Sequence, residues 1–299
     1  MILQLPYTPP YHWTAMLAFL AARAVPATER IEAGVYRRTM RLGTPDDPVA
    51  GVATVSHDAH RKALTVALSP GLAKGAGEAL ARIGHLFDIA CDPRAIAAVL
   101  GELARPDPGL RLPGAADPFE LTVRAILGQQ VTVAAARALA TRFVARFGEV
   151  LPAATAADQA PALTHLFPTA SAVAGLQVAQ LGEIGIIRSR GQAIIDVAGA
   201  LAAGTLQLAR VARTPSGNGW VEPALASLTA IRGVGPWTAH YIAMRSLGWA
   251  DAFPPGDVVA RKALQAATPA AALALAEQWR PWRAYALMHL WRQAGLNAR

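Results

Sequence analysis

The stretch Leu228–Arg245 constrains the fold more than any other part of the chain, because it places a very short turn between two helical patterns. A Gly-Val-Gly segment at 233–235 indicates a turn too tight for residues with side chains at its corners. Pro236 follows where a new helix would begin, and a first helical residue loses nothing by lacking an N–H. The spacing therefore predicts a helix-hairpin-helix.

The second helix of this hairpin has one apolar face. Trp237, Tyr241 and Met244 recur at helical spacing, and Arg245 is expected nearer the solvated side. The first N–H groups of such a helix point outward at the positive end of its dipole, which suits a phosphate. An ordinary helix-turn-helix corner with glycine as a stop signal is the alternative interpretation of this segment.

A phosphate backbone is the polyanion that such a hairpin suits. The predicted main-chain contacts are at Gly233, Gly235 and Thr238. A structural Na⁺ or K⁺ that bridges to a phosphate is predicted at the carbonyls of Thr229, Ile231 and Val234. No other cofactor is expected.

Asp257 follows Gly235 by 22 residues (257 − 235), directly after a Pro-Pro-Gly loop and before another apolar-periodic helix. Such an aspartate is commonly a helix N-cap with a purely structural role. A carboxylate delivered by a loop to the start of a helix is also suited to stabilise a positive charge. The position of Asp257 alone leaves both roles open.

Hairpin, Gly/Pro-rich loop and aspartate together resemble the helix-hairpin-helix superfamily of DNA glycosylases, and in particular its bacterial 3-methyladenine DNA glycosylases. The resemblance runs almost from end to end. It is carried by Pro9–Trp13, Phe19–Val25, Gly109–Gly114, Phe119–Gln129 and Trp279–Trp291.

The resemblance implies that Asp257 is the catalytic residue of a monofunctional DNA glycosylase, which would release alkylated purines and leave an abasic site. A carboxylate beside C1′ would stabilise the oxocarbenium-like transition state or orient the attacking water. Members of the superfamily that also cut the backbone carry a lysine two positions past the second glycine. Trp237 stands there, and an indole cannot form a Schiff base.

The base pocket implied by the resemblance is aromatic and comprises Trp237, Tyr241, Trp291 and Phe19. Electron-rich ring faces attract the delocalised positive charge of an alkylated purine. Aromatic residues at helical spacing are alternatively core residues. Gln130 matches the position of the family's wedge, which fills the gap left by a flipped base. The best-known member of the family has leucine at the position of Gln130 and tyrosine at the position of Val258, so this sequence departs from it at both.

Composition and charge agree with a helical DNA-binding protein. The formal net charge is +8, and residues 231–299 alone carry +5, from eight basic and three acidic side chains. Such a region suits a polyanionic partner. Cys91 is the only cysteine, which excludes an internal disulfide and a four-cysteine iron–sulfur cluster. His240 and His289 lie near the motifs, and we expect them to be packing residues.

The predicted fold class is α+β. Strands at 34–42, 49–57 and 61–68 form an N-terminal antiparallel sheet with helices at 13–25 and 72–90, and an all-helical region in two subdomains follows. A linker with four prolines at 105–118 separates the sheet region from the helical region. We predict an N-terminal domain at 1–112, a helical domain at 113–230, and a C-terminal helical part at 231–299 that packs on the second. The sheet domain is expected to be chiefly architectural.

The expected partner is double-stranded DNA, and we expect a monomer. Residues 1–5 lack the basic start of a secretory signal, and the apolar segment at 13–25 is too short to span a bilayer, so a cytoplasmic protein is predicted. Two other functions stay open. One is a non-catalytic helix-hairpin-helix DNA-binding protein, and the other is a glycosylase for oxidised or mismatched bases.

Overall fold

A computed structural model describes residues 1–152, 163–208 and 219–295 of the chain. The Ala-rich segment at 153–162 and most of the polar loop at 214–220 lie outside the described residues. Within the described part, an antiparallel sheet is followed by helices, and most of the buried apolar residues of the two regions form one continuous cluster.

The N-terminal region is built on a five-stranded antiparallel sheet in the order β1-β5-β4-β3-β2. Its strands are β1 (Ile2–Pro6), β2 (Glu29–Glu32), β3 (Val35–Thr44), β4 (Asp47–Asp58) and β5 (Ala63–Leu68). Alternation in β5 is clear, since Leu64, Val66 and Leu68 are fully buried while the residues between them are partly exposed. Helices α1 (Trp13–Arg23), α2 (Ala76–Leu86) and α3 (Pro93–Leu100) accompany the sheet, and a 3₁₀ helix (Pro70–Gly75) precedes α2.

The remaining described chain is almost entirely helical. A two-stranded ribbon, β6 (Glu149–Val150) with β7 (His165–Leu166), interrupts it, and two 3₁₀ turns lie at Gly101–Leu103 and Glu277–Trp279. The helices are α4 (Pro118–Leu127), α5 (Val133–Phe147), α6 (Ala170–Ala174), α7 (Val178–Glu183), α8 (Arg188–Ala202), α9 (Val221–Thr229), α10 (Pro236–Arg245), α11 (Val258–Ala263), α12 (Pro269–Ala276) and α13 (Arg283–Gln293).

This architecture confirms the predicted fold class, and it contains elements that the periodicity missed. Strands β1 and β2 flank the predicted strands at the two edges of the sheet. Both are short, and β2 has the sequence Glu-Arg-Ile-Glu, which carries no apolar alternation. Helices α3 and α6 were also missed, although the side chains of Asp92 and Thr169 cap their first turns.

Buried ion pairs join the sheet to the helical region. Arg38 on β3 donates to Glu120 on α4 at 2.8 Å, and Arg124 on α4 donates to Glu29 on β2 at 2.9 Å. Arg124 also pairs with Glu120 at 2.7 Å, one helical turn away. Four charged side chains of two regions therefore neutralise one another in the interior, which satisfies charges that would be costly if left unpaired.

Among the described residues, no helix combines the length and apolar character that crossing a bilayer requires. The longest described helices, α5 and α8, have 15 residues each and polar faces.

Candidate active site

Asp257 lies at the N-terminus of α11, and its carboxylate accepts three hydrogen bonds. The donors are the Ala260 N–H (2.8 Å, Oδ1), the Trp291 indole (3.1 Å, Oδ1) and the Trp237 indole (3.0 Å, Oδ2). The hydrogen bond from the Ala260 N–H caps the first turn of α11, so Asp257 does have the structural role of an N-cap residue. The two indoles hold the same carboxylate against an aromatic wall, so Asp257 is more than a cap.

A cavity of about 260 Å³ opens beside this carboxylate. Trp237, Tyr241 and Trp291 form one wall, in which the Trp237 and Tyr241 rings stack at 5.2 Å with an interplanar angle of 11°. Trp291 lies at 6.3 Å from Tyr241, tilted by 42°. The other lining residues are Arg23, Leu121, Arg124, Ala125, Gly128, Val131, Val133, Ala136, Arg137, Ala140, Arg245 and Val259.

Phe19 was predicted in the pocket, and it does not line the cavity. Its side chain is 1% exposed and lies behind two arginines, with the guanidinium carbon of Arg23 at 3.8 Å and that of Arg245 at 4.9 Å from the ring centroid. Arg23 and Arg245 line the cavity, and their guanidinium groups lie over the Phe19 ring. Phe19 therefore supports these two side chains from behind.

Arg245 was expected toward solvent, and that expectation is wrong, since the residue is 5% exposed. Its guanidinium donates to the carbonyls of Pro113 (2.7 Å) and Gly114 (2.9 Å) and to the Tyr241 hydroxyl (2.7 Å). A helical wheel cannot distinguish a solvated arginine from one that turns into a crevice between segments. The linker at 105–118 supplies that crevice.

Tyr241 is the aromatic residue of the wall that the arginines approach. Burial raises the pKa of its phenol, but the charges of Arg245 and Arg23 and the hydrogen bond from Arg245 outweigh burial and lower the pKa below its usual value. Burial in turn lowers the pKa of Arg23 to about 10, so this guanidinium stays charged at neutral pH.

The arginines of the cavity were missed as site residues. Arg23 is the one charged residue of α1, and Arg124 stands one turn after Glu120 on α4, which is the only signal that the sequence offers. Nothing in either helix shows that the two side chains converge on one cavity, because α1 and α4 are almost a hundred residues apart.

The hairpin between α9 and α10 is exposed, and its two glycines differ. Gly233 has a φ of +93°, and a Cβ there would lie 3.1 Å from Ala193, so the turn requires glycine. Gly235 has a φ of −83° and open space around it, so the fold itself does not require glycine at 235. The prediction that both corners exclude side chains is correct for Gly233 only.

Thr238 lies in the first turn of α10 and is 3% exposed. Its hydroxyl accepts a hydrogen bond from the Gln129 amide at 3.0 Å, and the same amide donates to the Gly233 carbonyl at 2.8 Å. A phosphate contact at Thr238 would therefore have to use its main-chain N–H.

Gln130 lies in the loop between α4 and α5, between Gly128 and Val131, which both line the cavity. It is exposed and has a φ of +54°, a conformation that non-glycine residues rarely adopt. Arg190 holds the loop by donating to the Gln129 carbonyl. Val258, the second departure, is 53% exposed and does not line the cavity, whereas its neighbour Val259 does.

His240 and His289 do not line the cavity either. Both are partly or fully buried, and burial lowers the pKa of each, to about 4 for His289. The His240 ring lies 5.2 Å from the Trp249 ring, a contact that agrees with the packing role expected for it. The described residues contain no group of three or more His, Cys, Asp or Glu side chains that could hold a metal ion.

Comparisons with known proteins match both regions of the chain. Residues 2–117 match the AlkA N-terminal domain, and residues 123–278 match the model of the HhH-GPD superfamily base excision DNA repair proteins. DNA-3-methyladenine glycosylase 2 of Escherichia coli K12 is 40% identical over 289 residues, which cover 97% of this chain and 96% of that protein.

Solved structures share the fold. A 3-methyladenine DNA glycosylase of Archaeoglobus fulgidus superposes with a TM-score of 0.74 at 19% identity, covering 100% of this chain and 99% of that one. MBOgg1, solved in complex with a low-affinity DNA ligand, superposes with a TM-score of 0.72 at 17% identity, covering 98% of this chain and 96% of that one.

The two family models together span the sheet region and most of the helical region, and they define a base excision DNA repair protein. The chain belongs to the HhH-GPD superfamily of base excision DNA repair proteins, and its N-terminal region is of the AlkA type. The family resemblance drawn from the sequence is confirmed.

Proposed function

We propose that this protein is a monofunctional DNA glycosylase that flips alkylated purines out of double-stranded DNA, hydrolyses their N-glycosidic bond and leaves an abasic site. The observation that carries the proposal is the Asp257 carboxylate, which faces a cavity of about 260 Å³ between two indole donors. A plain DNA-binding protein needs neither the buried carboxylate nor the cavity. The relative at 40% identity is named a 3-methyladenine glycosylase, which supports the substrate class.

Asp257 would act on the sugar. When the bond to the base lengthens, C1′ and the ring oxygen gain positive charge, and a carboxylate held in place opposes that charge without reorganisation. The indoles of Trp237 and Trp291 fix both carboxylate oxygens, and the Ala260 N–H fixes the loop. An alkylated purine is already a good leaving group because it departs as a neutral molecule, so no general acid is required.

Trp237 would determine that the chemistry stops at base release. Its ring stacks on Tyr241 and its N–H is engaged by Asp257, so it offers no amine that could attack C1′. A water molecule is then the nucleophile, and Asp257 is placed to orient it.

The hairpin and the loop after α4 would hold the DNA. Gly235 is exposed with open space around it, which lets a phosphate approach the main-chain N–H groups at the start of α10. Gln130 is exposed beside the cavity-lining residue Val131, and its amide would fill the gap and hydrogen-bond the orphaned base. We propose that the protein does this as a monomer in the cytoplasm.

A monovalent cation at the hairpin is part of this proposal. The Ile231 carbonyl accepts the Val234 N–H at 3.0 Å and keeps a second lone pair, and hard carbonyl oxygens are suitable ligands for Na⁺ or K⁺. The residues at the turn therefore fit such an ion, which would be held by the carbonyls of Thr229, Ile231 and Val234. When bound, it would supply positive charge to a phosphate.

Product analysis tests the proposed function. The enzyme is incubated with a duplex that carries one 7-methylguanine or one hypoxanthine, and both the released base and the strand are analysed. We expect a free base, an intact strand that breaks only after alkali, and no covalent adduct on addition of borohydride. An adduct trapped by borohydride would contradict the monofunctional mechanism, and the absence of any released base would contradict the function.

A further inference from the structure

The cavity wall carries more positive than negative charge. Four arginines line it, Arg23, Arg124, Arg137 and Arg245, against one carboxylate, Asp257. Arg137 is exposed, so solvent screens its charge. The three others are close to the Tyr241 end of the cavity, where they would oppose a positively charged base.

Arg23 and Arg245 are held by neutral groups. Arg245 donates to two carbonyls and to a phenol, and Arg23 donates to the Phe19 carbonyl at 3.1 Å. Neither forms an ion pair with a carboxylate in the described ranges 1–152, 163–208 and 219–295.

Arg124 differs from both, because it is paired with two buried carboxylates. Glu120 is its neighbour on α4, and Glu29 comes from strand β2 of the N-terminal sheet. Glu29 is 4% exposed, accepts the Tyr36 hydroxyl at 2.6 Å, and lies 3.4 Å from Arg38. The arginines outweigh the effect of burial and keep the pKa of Glu29 below its usual value.

We infer that Glu29 of the N-terminal sheet is a specificity-determining residue, which sets the charge of the base cavity by pairing with Arg124 and so admits a cationic alkylated purine. With Glu29 present, the group of Glu29, Glu120, Arg38 and Arg124 is neutral. Without it, that group carries one uncompensated positive charge behind the cavity wall. The inference rests on the proposed function, since it concerns which damaged base is released.

Glu29→Gln keeps the shape of the side chain and removes its charge. Across a largely buried site, one unit charge changes the relative binding of a cation and a neutral molecule by about tenfold. We expect the ratio of single-turnover release, 7-methylguanine over hypoxanthine, to fall about tenfold in Glu29→Gln. Arg124→Gln leaves the negative charge in excess, so the same ratio should rise.

The double variant Glu29→Gln with Arg124→Gln restores neutrality, and its ratio should return to within about twofold of the wild-type value. Glu32→Gln is the matched control, because Glu32 lies on the same strand and pairs with Arg30 in solvent. Its ratio should not change. Thermal unfolding of every variant identifies those that fail to fold. If Glu29→Gln does not fold, the higher release ratio expected for Arg124→Gln still tests the inference.

Equal losses of both bases in Glu29→Gln, without rescue by the double variant, would show a purely structural residue and overturn the inference. An unchanged ratio in Arg124→Gln would overturn it as well. If the wild-type protein releases neither base, the proposed function fails. The two failures are thus distinguishable in one set of reactions.

Discussion

The hairpin and the cavity lie side by side, yet they are built in different ways. The hairpin comes from one contiguous stretch, is exposed, and presents main-chain groups that are the same whichever base pair lies nearby. The cavity collects side chains from α1, α4, α5, α10, α11, α13 and the loops before α5 and α11, and all but two of them are buried or half-buried. Phosphate binding thus requires only local geometry, whereas recognition and chemistry require a tertiary arrangement.

This difference predicts that substitutions separate into two groups. Changes at the hairpin should weaken binding to all duplexes alike, because phosphate contacts carry no sequence information. Changes in the cavity should alter release of one base relative to another, or release without binding. Four substitutions test the division.

Asp257→Asn should have the largest effect. The amide is nearly isosteric but cannot oppose the charge on the sugar, and at least one of its three N–H donors loses an acceptor. We expect single-turnover base release to fall at least about a hundredfold, with affinity for an abasic duplex retained. Near-normal release would contradict the role of Asp257.

Gly235→Glu should act on binding instead. The side chain enters the open space where a phosphate would approach and adds a like charge. Affinity for damaged and undamaged duplexes should fall by a similar factor, about tenfold or more at low salt. Gly77→Glu is the control. Gly77 on α2 also has open space around it, and the substitution adds the same charge at a position far from the hairpin in the sequence. A loss of affinity confined to damaged duplexes would contradict a phosphate contact at Gly235.

Trp237→Ala should remove stacking that is worth about 1–3 kcal/mol per base. The loss should be larger for a cationic purine than for neutral hypoxanthine, because only the former gains a cation–π contribution. Trp237→Phe sharpens the result, since it keeps an aromatic face and removes the N–H that holds Asp257. Equal losses for the two bases in Trp237→Ala would identify Trp237 as a packing residue.

Gln130→Ala should have the smallest effect, a severalfold lower release from duplex DNA. The gap that Gln130 is proposed to fill exists only in a duplex, so release from single-stranded DNA should not change. Equal changes on both substrates, measured in parallel single-turnover reactions, would indicate that the loop acts without entering the helix.

The sequence predicts the local features of this molecule well. The hairpin, the glycine at 233 and the cap at Asp257 follow from rules that act over a few residues, and the structure has all three. The predicted strands at 34–42, 49–57 and 61–68 correspond to β3, β4 and β5, because their apolar alternation is long enough to detect.

What the sequence could not predict depends on contacts between distant segments. Phe19 and Arg245 were assigned to pocket and solvent, and the structure reverses their relation, since Arg245 faces the cavity and Phe19 lies beneath it. Glu29 and Arg124 are 95 residues apart, and the pair forms only when the sheet packs on α4. The sheet region, expected to be chiefly architectural, supplies Arg23 to the cavity wall.

The claim that Asp257 faces the positive charge that develops on the sugar can be measured directly. Two duplexes are compared, one with a protonated pyrrolidine in place of the damaged nucleoside and one with a neutral tetrahydrofuran. A transition-state-like cation should bind the wild-type protein at least about a hundredfold more tightly than its neutral analogue. Asp257→Asn should abolish that preference while keeping the affinity for the tetrahydrofuran duplex. Equal affinities of the wild-type protein for both duplexes, or a preference that survives in Asp257→Asn, would contradict the mechanism.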